Sequence, residues 1–145
     1  QFVDKRVQVE CRFRLDSPVT CNPGRLNQVF LNLLVNALHA APPGGLVTIE
    51  TRREGGRAVI EIADDGPGIP PEVQNRIFDP FYTTKPVGEG TGLGLSLSYN
   101  IVKKHHGEIG VTSTPGQGTS FRIRVPVQHP VEGNEANPDL RKTGT

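Results

Sequence analysis

The sequence holds only two cysteines, Cys11 and Cys21, which is too few for a disulfide framework. Their separation also lacks metal-site spacing, so both read as reduced thiols of a cytoplasmic protein. No apolar run approaches the length that spans a bilayer, and no secretory signal is legible. Neither charge sign dominates: 16 basic residues face 15 acidic ones, for a net charge of +1. That balance leaves no electrostatic footprint for nucleic acid. Arg6, Arg12 and Arg14 read instead as one solvated face of a strand. Hydrophobic residues make up 34% of the chain, which is lean but ordinary for a globular protein. At 145 residues the chain fits one domain, able to bury roughly two thirds of its unfolded surface. No direct membrane contact is expected.

Glycine and proline are what the chain has in quantity, 17 and 13. They cluster between periodic segments, which marks long, purposeful loops. Residues 5–15 alternate: Val7, Val9, Cys11, Phe13 and Leu15 against Gln8, Glu10, Arg12 and Arg14. That pattern predicts a half-buried strand. Asn22-Pro23-Gly24 breaks it. From about 25 to 41, Leu26, Val29, Phe30, Leu33, Ala37 and Leu38 recur at helical spacing. Pro42-Pro43-Gly44-Gly45 stops that helix. Two strands, 46–54 and 57–63, follow as a hairpin around Gly55-Gly56. A short helix is expected near 72–77, then an irregular glycine-rich stretch over 79–94, then a helix over about 93–106. A second hairpin, 108–114 and 119–127, turns at Pro115–Gly118. The polar tail beyond residue 130 is expected to be disordered. Hairpins imply an antiparallel or mixed sheet. The interleaved helices bury their stripes most simply as one layer on one of its faces.

Three places carry candidate chemistry. Asn32 and Asn36 share one helix face, although Asn is a mediocre helix former. They either bridge neighbouring loops or offer a carbonyl oxygen to Mg²⁺. Asp64-Asp65-Gly66-Pro67-Gly68 closes a strand. Taken alone it is a tight turn, but a carboxylate there also suits an exocyclic amine such as adenine's, with glycines admitting the base. Gly88-Glu89-Gly90-Thr91-Gly92-Leu93-Gly94 sits directly before a helix, where exposed N–H groups and the helix dipole favour phosphate. Phe78, Phe81 and Tyr82 upstream and an apolar helix downstream frame it, unlike a linker. An irregular stretch precedes these glycines, so a Rossmann fingerprint is disfavoured. The Walker pattern is absent.

These segments resemble the sensor histidine kinases. Asn32-Leu33-Leu34-Val35-Asn36-Ala37 is similar to their N box. Asp64 to Ile69 resembles the first glycine box, and Ile77-Phe78-Asp79-Pro80-Phe81-Tyr82-Thr83-Thr84-Lys85 the phenylalanine box. Gly90-Thr91-Gly92-Leu93-Gly94-Leu95-Ser96 resembles the second glycine box, and Gly116-Gln117-Gly118-Thr119-Ser120-Phe121 the last. The five boxes stand in the family's order, and the match runs over about residues 5–127. The wording is most similar to the nitrogen-sensor-like branch.

The resemblance implies an α+β fold, the Bergerat ATP-binding sandwich: a mixed, mostly antiparallel sheet under about three helices. The domain would span residues 1–130, followed by a tail over 131–145. ATP and Mg²⁺ are the implied ligands. Asn36 would be the metal ligand, with Asn32 lining the same pocket as a second candidate ligand. Asp64 would receive the adenine amine. Gly66, Gly68 and Ile69 would shape the base pocket, with Thr119 supporting it and Ala40 leaving it open where many relatives carry an aromatic ring. His39 stands where many relatives place a phosphate-binding Lys or Arg. Residues of about 79–94 would form an ATP lid, with Phe81, Lys85, Gly90, Thr91, Gly92, Leu93, Gly94 and Leu95 at the nucleotide.

ATP-hydrolysing members of the wider superfamily carry a Glu four residues before the metal Asn, to polarise water. Here that position is Asn32, which cannot take the proton. The resemblance therefore implies phosphoryl transfer to a histidine. None of His39, His105, His106 and His129 lies in the family's acceptor motif. The acceptor would belong to a dimerisation and phosphoacceptor segment outside this chain, with a response regulator receiver downstream. An ATP-hydrolysing domain and a non-catalytic nucleotide-binding signalling module are the alternatives. His105 and His106, at a helix end, read as dipole-favoured or solvated.

Overall fold

A computed structural model describes residues 5–16, 18–80 and 94–128. Residues 81–93 and 129–145 lie outside it, and with them most of the expected lid and the expected tail.

The elements run β1 (Gln8–Phe13), α1 (Pro23–Ala40), β2 (Leu46–Glu54), β3 (Arg57–Asp64), α2 (Pro71–Gln74), α3 (Gly94–Lys104), β4 (Glu108–Thr114) and β5 (Gly118–Pro126). The five strands form one sheet in the order β1-β2-β3-β5-β4. β1 pairs parallel with β2, and the other pairs are antiparallel. This is the mixed sheet that the two hairpins imply.

Register decides which side is buried. Ala58, Ile60, Ile62 and Asp64 on β3 lie opposite Val125, Ile123, Phe121 and Thr119 on β5. All eight are buried. The helices cover this face, α1 over β3 and α3 over β4. Leu26, Val29, Leu33 and Ala37 form the buried stripe of α1, with Ile101 and Val102 from α3 beside them. Phe78 anchors the end of the α2 segment, edge-on to Phe121 with centroids 6.3 Å apart and 5.7 Å from Tyr99.

The opposite face is a charged lattice. Arg52 reaches Glu61 at 2.7 Å and Glu54 at 2.8 Å, and Arg122 reaches Glu61 at 2.9 Å. Glu50 and Glu61 are direct cross-strand partners, a repulsive pairing that Arg52 offsets by lying 3.5 Å from Glu50 as well. Burial alone would raise Glu61, but hydrogen bonds from Arg52 and Arg122 outweigh it and hold the carboxyl below the usual glutamate range.

Three expectations need correction. The first strand forms, yet every residue of it is exposed, Phe13 at 67%. It is the edge strand of the sheet, and of the expected alternation only Val7 and Leu15, which lie outside β1, pack against the core. The short helix covers only Pro71–Gln74, after which 75–78 is a turn. The helix expected from residue 25 starts earlier, because Asn22-Pro23 is its cap rather than only a break. Asn22 Oδ1 accepts from the Arg25 N–H at 3.2 Å, and Pro23 fills the first helical position.

His105 is not simply solvated. Its Nε2 accepts from the Asn22 N–H at 3.0 Å, and Nδ1 lies 2.9 Å from the Ile101 carbonyl. The ring thus ties the end of α3 to the cap of α1. No helix among the described residues is long and apolar enough to cross a membrane.

Candidate functional site

The ends of two elements meet at one end of the sandwich. One is the end of α1, with His39 and Ala40 in its last turn and Asn36 one turn back. The other is the end of β3, where Asp64 leads into the Asp65–Pro70 loop.

Asp64 is 8% exposed. Its Oδ1 accepts from the Gly66 N–H at 2.9 Å. Burial pushes its carboxyl above the ordinary aspartate value, and the neighbouring Asp65 charge adds to this, while bonds from the Gly66 and Thr119 backbones oppose it. A desolvated carboxylate of this kind gains from a donor that restores its lost solvation.

Glycines bracket it. A Cβ on Gly66 would lie 2.4 Å from the Ala40 carbonyl oxygen, so the loop touches α1 only because that position is glycine. Gly118 has φ 135°, and a Cβ there would lie 2.1 Å from the Asp64 carbonyl oxygen. β5 thereby closes on the strand end from the other side. Gly68 and Ile69 follow in the loop, with Ile69 packed against the core.

Thr119 is buried opposite Asp64 in the β3–β5 register. Its Oγ1 lies 2.9 Å from Ser113 Oγ. Ser113 also accepts from the Ile69 N–H at 2.7 Å and bonds the Gly118 carbonyl at 3.0 Å. Gln74 donates to the carbonyls of Ile69 at 2.9 Å and Ser113 at 3.2 Å. Ser113 and Gln74 thus lock the loop, and the sequence reading passed over both. The only signal was Ser113's place in the second hairpin, opposite Thr119.

The two asparagines are used differently. Asn32 Nδ2 donates to the Gly94 carbonyl at 3.3 Å and to Ser98 Oγ at 3.4 Å, tethering the start of α3 to α1. Asn36 is half-buried, and its amide has no hydrogen-bond partner among the described residues. His39 is exposed and Ala40 partly covered. Gly94 and Leu95 open α3. The structure therefore brings Ala40, Asp64, Gly66, Gly68, Ile69 and Thr119 together at this end of the fold, with Asn36 and His39 on the last two turns of α1, while Asn32 meets Gly94 and the start of α3 further back along that helix. Phe81, Lys85, Gly90, Thr91, Gly92 and Leu93 lie outside the described residues.

Comparison with known proteins matches this architecture. The chain belongs to the family described as "Histidine kinase-, DNA gyrase B-, and HSP90-like ATPase", which matches residues 21–129. It is 44% identical over 124 residues to Sensor kinase CckA of Brucella abortus, covering 75% of this chain and 13% of that protein. It is 44% identical over 117 residues to Sporulation kinase E of Bacillus subtilis, covering 79% of this chain and 15% of that one. With Sensor histidine kinase ZraS of Salmonella typhi it shares 40% over 124 residues, 83% of this chain and 26% of that protein. The chain thus spans about an eighth to a quarter of the length of these curated relatives. Among solved structures, the catalytic domain of histidine kinase ThkA superposes with a TM-score of 0.77 at 29% identity, covering 86% of this chain and 81% of that one. Full-length ShkA in complex with AMPPNP gives 0.75 at 31% identity, covering 84% and 26%. The fold is that of a sensor histidine kinase catalytic domain.

Proposed function

We propose that this domain binds ATP with Mg²⁺ between α1 and the end of β3, and transfers the γ-phosphoryl group to a histidine on a separate dimerisation and phosphoacceptor domain. The observation that carries the reading is Asp64. It is a desolvated carboxylate with glycine on both sides, near the end of a helix whose Asn36 amide has no partner among the described residues. Asp64 accepts a hydrogen bond from the adenine amine. Gly66, Gly68, Ile69 and Thr119 shape the base pocket, and Ala40 leaves one side open. His39 contacts phosphate, and so do Lys85 and the segment from Gly90 to Leu95, with Phe81 at the nucleotide.

The donor set suits the metal. Asn36 supplies one hard oxygen, and among the described residues no three His, Cys, Asp or Glu side chains gather into a metal cluster. Mg²⁺ is commonly held by one or two protein oxygens plus substrate phosphates and waters. When bound, it neutralises charge on the phosphate oxygens. Asn32 stays a tether rather than a base, so no side chain at that position activates water. In the transfer the bond from the γ-phosphorus to the bridging oxygen breaks, a bond to the imidazole nitrogen forms, and ADP leaves. The protein contributes position and charge complementarity.

A response regulator receiver is the proposed downstream partner, and the cytoplasm, where ATP is available, the proposed location. Mixing this chain with a phosphoacceptor domain of a related sensor kinase and labelled ATP tests the function. The expected product is an acid-labile phosphohistidine on the acceptor. Steady release of inorganic phosphate at about one turnover per second, without acceptor labelling, would support a hydrolysing domain instead.

A further inference from the structure

The carbonyls that end a helix have no partner within it. α1 ends beside the candidate site, and its last carbonyls are met from far along the chain. Lys5 Nζ donates to the carbonyls of His39 at 2.7 Å, Ala41 at 2.9 Å and Leu38 at 3.4 Å. An ammonium has three donors, and here all three go to one helix end. The cation also meets the negative end of the helix dipole.

The backbone around Lys5 is fixed as well. The Gly44 N–H donates to the Lys5 carbonyl at 2.8 Å, and the Gln8 N–H to the Gly45 carbonyl at 2.9 Å. One residue on, the Leu46 N–H donates to Asp65 Oδ1 at 3.0 Å. The stretch 44–46 is therefore bonded to Lys5 at one end and to the neighbour of Asp64 at the other. The helix end gripped by the Lys5 side chain carries His39 and Ala40, with Asn36 one turn back on the same helix, and the Ala40 carbonyl is the atom on which Gly66 packs.

We propose that Lys5 is a positioning residue of the nucleotide pocket, linking the segment that leads into β1 to the placing of Asn36, His39 and Ala40. The inference rests on the nucleotide-site reading above. Linkage makes the coupling reciprocal: displacing Lys5 weakens nucleotide binding, and bound nucleotide steadies Lys5. The segment before β1 is thereby a lever on the pocket.

A purely structural helix cap would lower thermal stability yet leave the affinity of the folded protein alone. Lys5→Met keeps the aliphatic stem and removes the donors, and Lys5→Arg restores a cation with donors. Calorimetric titration with ATP and with adenosine, at a temperature where all three proteins are folded, separates the two roles. Lys5→Met should weaken both ligands by about fivefold or more, with Lys5→Arg recovering most of the loss. Equal affinities across the three proteins overturn the proposal, whatever happens to the melting temperature. Failure of the wild type to bind either ligand sinks the nucleotide reading itself. The Lys5 link is then decided by hydrogen exchange at the Gly66 amide, which is bonded to Asp64. Faster exchange in Lys5→Met, reversed in Lys5→Arg, upholds the link, and unchanged exchange overturns it.

Discussion

Asn32 in α1 donates its amide hydrogen to the carbonyl of Gly94, the first residue of α3, at 3.3 Å. The bond runs between two helix positions 62 residues apart and fixes where the second long helix begins. Removing it by Asn32→Ala leaves Ser98 Oγ on the Gly94 carbonyl at 2.9 Å, so the carbonyl is not orphaned. The expected cost is therefore a modest 0.5–1.5 kcal/mol or so in denaturant unfolding. A loss above about 3 kcal/mol would mean the tether does more than the geometry indicates.

Gly66→Ala places a methyl 2.4 Å from the Ala40 carbonyl, where no flexible side chain can give way. A loss of about 1–3 kcal/mol is expected, together with weaker ATP binding, because the loop must leave α1. Gly56→Ala is the control, since nothing lies within 4 Å of its added Cβ. Its effect should stay within about 0.5 kcal/mol. Similar melting temperatures for both variants would contradict the packing described.

Asp64 predicts a pH dependence. Its folded value is raised, so the cost of holding its charge is absent below the ordinary aspartate value and sets in as pH rises through the raised one. Asp64→Asn keeps the bond from Gly66 and should leave the ligand-free protein at least as stable near neutral pH. Its adenosine affinity should fall by about 1–3 kcal/mol. Wild-type affinity should weaken as pH falls through the raised value, and the Asn variant should lack that dependence. Parallel pH profiles would refute the role given to Asp64.

Glu61 predicts the opposite sign. Its lowered value means stability that is present above the ordinary glutamate value and lost as pH falls through the lowered one. Glu61→Gln, partly solvent-screened on the open sheet face, should cost about 0.5–1 kcal/mol at neutral pH. The gap from wild type should close in acid, which urea melts across pH can check.

Most of the fold was legible because its periods are local. The α1 stripe from Leu26 to Leu38, the Gly55-Gly56 hairpin and the alternation of Phe121, Ile123 and Val125 each name their own element. The burial of β1 was not legible. Val9 and Phe13 alternate like core residues, but only the sheet order puts them on an uncovered edge. The site divides in the same way. Asp64, Asn36 and the glycine boxes announce themselves as ordered motifs. Ser113, Gln74 and Lys5 act across 33 to 44 residues through side-chain hydrogen bonds to backbone groups, which leave no pattern in a linear string.

The central claim is a pocket where Asn36 holds Mg²⁺ on the phosphates and Asp64 holds the adenine. Titrating ATP with and without Mg²⁺ into the wild type and into Asn36→Ala tests it most directly. The account predicts that Mg²⁺ tightens ATP binding to the wild type, that Asn36→Ala loses most of that gain, and that adenosine binds both proteins alike. An undiminished Mg²⁺ effect in Asn36→Ala, or adenosine binding that falls with it, would contradict the account.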